Sequence, residues 1–149
     1  MTQFNGLIFD FNGVLWWDNR LQEQSWRDFS VAVRGVPLSS AEMATHVHGR
    51  NNRYTMQYLS DKTLSAERTE QLSEEKELIY RQLCLAQGAD FRLSPGTESL
   101  LDFLVNNRIA HTIATASGKG NVDFFFAHLA LGRWFDLDKI IYDDGMIAG

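Results

Sequence analysis

The stretch Leu7-Ile8-Phe9-Asp10-Phe11-Asn12-Gly13-Val14-Leu15 constrains this chain more than any other. Three apolar residues run directly into an acidic one. An amide side chain follows two positions later, then a glycine and two further apolar residues. A short unbroken apolar run reads as a strand buried on both faces, as in a parallel sheet. Asp10 then stands at the strand's carboxyl end, where open α/β sheets bind ligands. Gly13 permits a sharp turn just beyond it. A carboxylate so placed serves as nucleophile, as metal ligand or as both; a strand-end Asp that merely caps the next helix is the plainer alternative. The stretch alone does not decide between them.

The chain has 149 residues, the size of one core domain or of a core with an insert. It contains no run of about 18 apolar residues, which argues against a transmembrane span. Met1-Thr2-Gln3-Phe4-Asn5 lacks the basic and apolar regions of a signal peptide. A single cysteine, Cys84, excludes an internal disulfide and fits a reducing, cytoplasmic compartment. The net charge of -5 comes with no long basic block, so neither a nucleic-acid nor a membrane partner is expected. A small phosphorylated molecule, needing only a few local donors, remains compatible.

From Asp18 to Gly88 the pattern is polar and helical. Gln22, Trp26, Phe29 and Val33 share one helix face, and Gly35 and Pro37 end that helix. Ser39-Ser40-Ala41-Glu42 forms a capping box opening a helix that runs to about His46, which Gly49 breaks. A third helix is expected over Arg53–Leu59. A fourth is expected from Ser65 to Ala86, with Leu72, Ile79, Leu83 and Ala86 on its buried stripe. No strand is expected in this section.

Pro95 then opens a helix whose buried side is Leu100, Leu101, Leu104 and Val105. Ile109–Thr115 reads as a second buried strand, Ser117-Gly118-Lys119-Gly120 as the loop after it, and Asn121–Leu131 as a helix stopped by Gly132. Lys139–Tyr142 reads as a third strand, followed by a turn at Asp143-Asp144-Gly145. The order strand, helical insert, helix, strand, helix, strand predicts a parallel α/β sheet, with the strand at Ile113 between the other two. Asp10 and Thr115 then both fall at strand carboxyl ends, over one crevice. The glycine-rich stretch from Thr115 to Gly120 offers backbone N–H groups to an anion ahead of the next helix. A carboxylate facing such a cradle suggests phosphoryl transfer, with a metal between the two anions.

These residues resemble the haloacid dehalogenase (HAD) superfamily. Its first motif is three apolar residues, Asp, any residue, Asp, Gly, Val or Thr, and Leu; Leu7–Leu15 follows it except at Asn12. Thr112-Ile113-Ala114-Thr115-Ala116-Ser117 is similar to the second motif, an apolar strand ending in Ser or Thr. The all-α section looks like the helical cap of the subgroup containing β-phosphoglucomutase and phosphoglycolate phosphatase. The resemblance implies an α/β fold: a partial Rossmann-like parallel sheet (the HAD core, 1–15 and 92–149) with an inserted all-α cap domain (16–91). It further implies that Asp10 is the nucleophile, taking the phosphoryl group as an aspartyl-phosphate, and a Mg2+ ligand. Position 12 would give Mg2+ its backbone carbonyl. Thr115 and the Ala116 N–H would bind phosphoryl oxygens, with Lys119 assisting, and Arg50 would contact the substrate from the cap. A solvated loop Lys and a solvated helix-end Arg are the plainer alternatives for the last two. His46 and His48 read as packing or surface residues, and Trp16 and Trp17 stand where the family has a mobile flap.

Two departures qualify this. Asn12 stands where the family's phosphatases and phosphomutases carry the Asp that protonates the leaving oxygen and later activates water. An amide does neither, and loss of such a group costs about 10²–10⁴ in rate. The family's later Lys and acidic pair are also not found by Gly149, so the chain reads as C-terminally truncated, with strand one left as an uncovered edge open to self-association. Three readings therefore stay open: a HAD-like hydrolase acting on a small phosphorylated metabolite but impaired, a phosphate-binding pseudoenzyme or inactive fragment, and a metal-free dehalogenase-type hydrolase.

Overall fold

A computed structural model describes residues 5–144. The chain divides into two compact units: one runs up to Asn19 and resumes at Ala89, the other is Arg20–Gly88.

The first unit is α/β. Strands β1 (Gly6–Phe9), β2 (Ala110–Gly118) and β3 (Ile141–Asp143) form one parallel sheet in the order β1-β2-β3, so the strand at Ile113 is central, as the element order suggested. Gly6 lies opposite Ala110 and Phe9 opposite Ile113. The two backbones approach closely at Gly6, where a Cβ would stand 2.9 Å from the Ala110 carbonyl oxygen. Ile113, Phe11, Val122, Phe125 and Leu131 are buried in this unit's core, and the Phe11 and Phe125 rings stack with centroids 4.5 Å apart. Phe125 belongs to the helix Lys119–His128, which follows β2 directly.

Several expected details of this unit are corrected. β1 is not buried on both faces: Leu7 is 39% and Ile8 68% exposed, and β1 stands at the edge of the sheet. An apolar run records that a strand can be covered, not that it is. Pro95 does not enter a helix; Gly96, at φ +83°, is the N-cap of Thr97–Asn106, on which Leu101 and Leu104 are buried while Leu100 and Val105 are exposed. β2 runs on to Gly118, so Ser117-Gly118-Lys119-Gly120 is strand end and first helical turn rather than a loop. Pairing of Gly118 with Asp143 overrides the turn propensity of the small residues. The helix after it ends at His128, ahead of Gly132, and β3 begins at Ile141 rather than Lys139. The expected turn at Asp143-Asp144-Gly145 falls partly outside the described residues, since Gly145 is beyond them.

The second unit is all helical: α1 (Asn19–Arg34, begun in the last residue of the first unit), α2 (Ser40–His46), α3 (Asn52–Ser60) and α4 (Ala66–Leu85). In chain order the two helices of the first unit, Thr97–Asn106 and Lys119–His128, are then α5 and α6. Gly35, at φ +80°, follows the last residue of α1. The capping box forms as expected, the Ser39 hydroxyl accepting from the Glu42 N–H and the Glu42 carboxylate from the Ser39 N–H. Asn51 and Ser65 cap α3 and α4 through their side-chain oxygens. Trp26, Phe29, Leu38, Met43, Met56, Leu59 and Leu72 make one closed core. On α4 the expected stripe holds in part: Leu72 is buried and Ile79 packs against the core, but Ala86 is exposed and Lys76, Tyr80 and Cys84 are buried as well. The Lys76 ammonium donates to Gln22 Oε1 (2.8 Å) and Glu77 Oε1 (3.0 Å) and lies over the rings of Trp26 and Tyr80. Its aliphatic stem fills a core position that a hydropathy pattern assigns to solvent. Among the described residues, no helix is long and apolar enough to cross a membrane.

Candidate active site at the ends of the first two strands

Asp10 is the first residue past β1. It is exposed, and its Oδ1 accepts from the Phe11 N–H at 2.7 Å. Phe11 is 2% exposed and anchors a tight turn: its carbonyl oxygen receives the N–H groups of Val14, Leu15 and Trp16, while the Gly13 N–H returns to the Trp16 carbonyl at 2.7 Å. Gly13 adopts φ +75°, and a Cβ there would stand 3.3 Å from Asn19 Oδ1, so the turn requires glycine. Ser94 fixes the turn from the far end of the unit, its N–H donating to the Leu15 carbonyl and its hydroxyl to that of Val14. Trp16 is buried beside Phe91, with ring centroids 5.2 Å apart, and Trp17 is exposed.

The turn directs Asn12 into a three-residue network. Its Nδ2 donates to Asp18 Oδ2 at 2.6 Å, and its Oδ1 accepts from the Ser117 hydroxyl at 2.7 Å. The second Asp18 oxygen accepts the Gly13 N–H at 3.0 Å. Asp18 is 1% exposed. The end of β1 and the end of β2 are thus tied through Asn12 and Ser117.

Thr115 lies inside β2 rather than at its end, half-buried, with its hydroxyl accepting from the Ser117 N–H at 3.1 Å. Its side chain lines a small apolar hollow with Phe11 and Ile113. Between Ala114, opposite Ile141, and Gly118, opposite Asp143, the register slips, so Thr115, Ala116 and Ser117 form an irregular segment. Such bulges re-aim side chains at the rims of sheets. α6 starts immediately afterwards, and no side chain caps its N-terminus at Gly118. Its first N–H groups and the helix dipole suit an anion.

Lys119 is exposed and paired with Asp123 one turn along α6; that hydrogen bond raises its pKa. Arg50, in the helical unit, is exposed over the Tyr54 ring, 5.2 Å from its centroid, with Nε donating to the Thr45 carbonyl. His46 stacks on Tyr58 and meets the Tyr54 hydroxyl through Nδ1, and His48 pairs with Glu23, so both histidines are held by neighbours within that unit.

Sequence reasoning missed Asp18 and passed over Ser117. An acid following Trp16-Trp17 at the mouth of a helix carries a signal of its own, since a buried acid must find donors. No group of three or more His, Cys, Asp or Glu side chains suited to a metal occurs among the described residues. The Asp10 carboxylate and the Asn12 backbone carbonyl are hard oxygen donors of the sort Mg2+ accepts alongside waters and substrate oxygens. An exposed carboxylate at a strand end fits that donor class.

No protein-family model and no curated protein matches the chain. Solved structures do. A HAD hydrolase of family IA, variant 3, from Entamoeba histolytica HM-1:IMSS is 36% identical, with a TM-score of 0.89 over 98% of this chain and 64% of that one. β-Phosphoglucomutase from Clostridium difficile is 23% identical with a TM-score of 0.73, over 99% of this chain and 65% of that one. CbbY from Rhodobacter sphaeroides, solved in complex with phosphate, is 18% identical with a TM-score of 0.71, over 99% and 66%. The chain therefore spans a little under two thirds of the length of each of these proteins. The chain therefore has the fold of the HAD-family hydrolases and is 36% identical to one of them over 98% of its own length.

Proposed function

We propose that this site serves phosphoryl transfer from a small phosphorylated metabolite, with Asp10 as nucleophile. The observation that carries the reading is the Asn12–Ser117 hydrogen bond. It joins the exposed Asp10 strand end to the irregular end of β2 and the uncapped N-terminus of α6. A carboxylate oxygen of Asp10 attacks phosphorus as the bond to the leaving oxygen breaks, giving an aspartyl-phosphate that water later cleaves. The Thr115 hydroxyl, the Ala116 N–H and the first turn of α6 hold the phosphoryl oxygens. Lys119 must release Asp123 to join them, so its part is the smaller one. Asp10 and the Asn12 backbone carbonyl would hold Mg2+, which supplies charge neutralisation between carboxylate and phosphate when bound. By the family resemblance, Arg50 would contact the substrate. Cys84 is the single cysteine of the sequence and is buried, which supports a reducing, cytoplasmic setting.

Asn12 sets the pace. An amide held between Asp18 and Ser117 neither protonates a leaving oxygen nor activates water, so turnover is slow by about 10²–10⁴ relative to a site with a working acid/base. The same observation favours a second reading, phosphate binding without turnover. We further propose self-association through the exposed edge of β1.

An aryl phosphate, whose leaving group needs little help from an acid, separates these readings. Slow Mg2+-dependent hydrolysis that Asp10→Asn abolishes supports phosphoryl transfer. Phosphate binding with no Asp10-dependent hydrolysis supports the second reading. Turnover at ordinary enzyme rates, about 1–10³ per second, contradicts the role given to Asn12.

A further inference from the structure

We propose that Asp18 is a positioning residue that makes position 12 an amide. Its buried carboxylate holds the Asn12 side chain, and with it the turn that carries Asp10, in one hydrogen-bonded orientation.

The chemistry of the three groups leaves one arrangement. An ionised carboxylate only accepts, an amide NH2 only donates, and a hydroxyl facing an amide oxygen must donate. Asn12 Nδ2 therefore faces Asp18 Oδ2, at 2.6 Å, and Asn12 Oδ1 faces the Ser117 hydroxyl, at 2.7 Å. Asp18 Oδ1 takes the Gly13 N–H at 3.0 Å, so the same carboxylate fixes both the side chain at position 12 and the backbone of the turn after it. At 1% exposure Asp18 has no bulk water to replace these donors.

An Asp at position 12 would set oxygen against oxygen at this spacing, a half-buried charge against a buried one of the same sign. Asn12→Asp alone therefore breaks the pair rather than repairing a catalytic site. The exchange Asn12→Asp with Asp18→Asn keeps the pattern. The amide at 18 donates to the carboxylate at 12, its oxygen still accepts from Gly13, and Ser117 still donates to position 12. Asn12 and Asp18 are thus a matched pair, with the single carboxylate on the buried partner.

The importance of this pair rests on the phosphoryl-transfer reading, but its test uses no turnover. Thermal unfolding of the full chain at neutral pH is measured for the parent, both single variants and the exchange. Each single variant should lower the midpoint by about 5–10 °C, and the exchange should recover at least half of the larger loss. Independently, the Asn12 side-chain NH2 protons of the parent should exchange slowly with solvent, and in Asp18→Ala their resonances should move to unbonded positions. The second measurement begins with the parent and survives a variant that does not fold. A parent-like midpoint for Asn12→Asp, an exchange no more stable than the worse single variant, or unprotected Asn12 NH2 protons in the parent would each overturn the proposal. A coupled pair in a protein without Asp10-dependent chemistry overturns the proposed function alone; an uncoupled pair in an active protein overturns this inference alone.

Discussion

The two units each bury a charged side chain, but they satisfy it differently. The helical unit gathers Trp26, Phe29, Met56 and their neighbours into one core and pairs its charges with one another, through the Ser39–Glu42 capping box, the Arg34–Glu42 ion pair at 2.7 Å, and Lys76 between Gln22, Glu77 and two aromatic rings. The α/β unit leaves Leu7 and Ile8 on an open strand edge and buries Asp18 beside a neutral amide. Buried polar groups and exposed apolar ones are the informative exceptions in a fold. Lys76 is neutralised by an adjacent acid and so reads as structure. Asp18 spends its charge on the orientation of a site residue and of the turn that bears Asp10.

The largest expected effect lies in the cores. Phe29→Ala, at a site 1% exposed, should cost about 3–5 kcal/mol in urea unfolding. Ile8→Lys, at a site 68% exposed, should leave stability within about 0.5 kcal/mol while lowering the sedimentation weight at micromolar concentration, since charge blunts an open edge. Comparable destabilisation by both would erase the contrast between the units. Gly13→Ala should come next, at about 1–2 kcal/mol, because the turn needs φ +75°. An unchanged midpoint would show that the turn relaxes.

The smallest effect is electrostatic and belongs to the helical unit. The Arg34 guanidinium, first, and the Ser39 backbone N–H, second, hold the Glu42 carboxyl well below its ordinary value of 4.5. A depressed carboxyl contributes stability that is full above its unfolded pKa and fades as pH falls below it. The thermal midpoint should therefore decline as pH is lowered from about 5, and Glu42→Gln should flatten part of that decline. Equal slopes for parent and variant would remove Glu42 from the account.

The legibility of the sequence followed the same division. Caps and breakers in the helical unit could be read at Ser39, Glu42 and Gly35 because each acts within a few residues. The α4 stripe is only partly legible because Lys76 buries its stem, which residue polarity hides. In the α/β unit the strand order was legible, but the exposure of Leu7 and Ile8 depends on what lies beside β1, which no local pattern carries. Ser117 and Gly118 read as a loop until their pairing beside β3 is known. Asn12 was legible as a departure, yet its partner Asp18 was not. The bond between them depends on a turn that folds the chain back over six residues.

The central claim is that Asp10 is a phosphoryl acceptor beside an amide that cannot release the group. An acyl phosphate tests it most directly, because its leaving group needs no acid. The full chain is incubated with Mg2+ and acetyl phosphate, quenched in acid and mapped by mass spectrometry. The account predicts a phosphoryl group on Asp10 that accumulates and decays slowly, and none on Asp10→Asn. Incorporation at another residue, or none in a folded protein that binds phosphate, would contradict it.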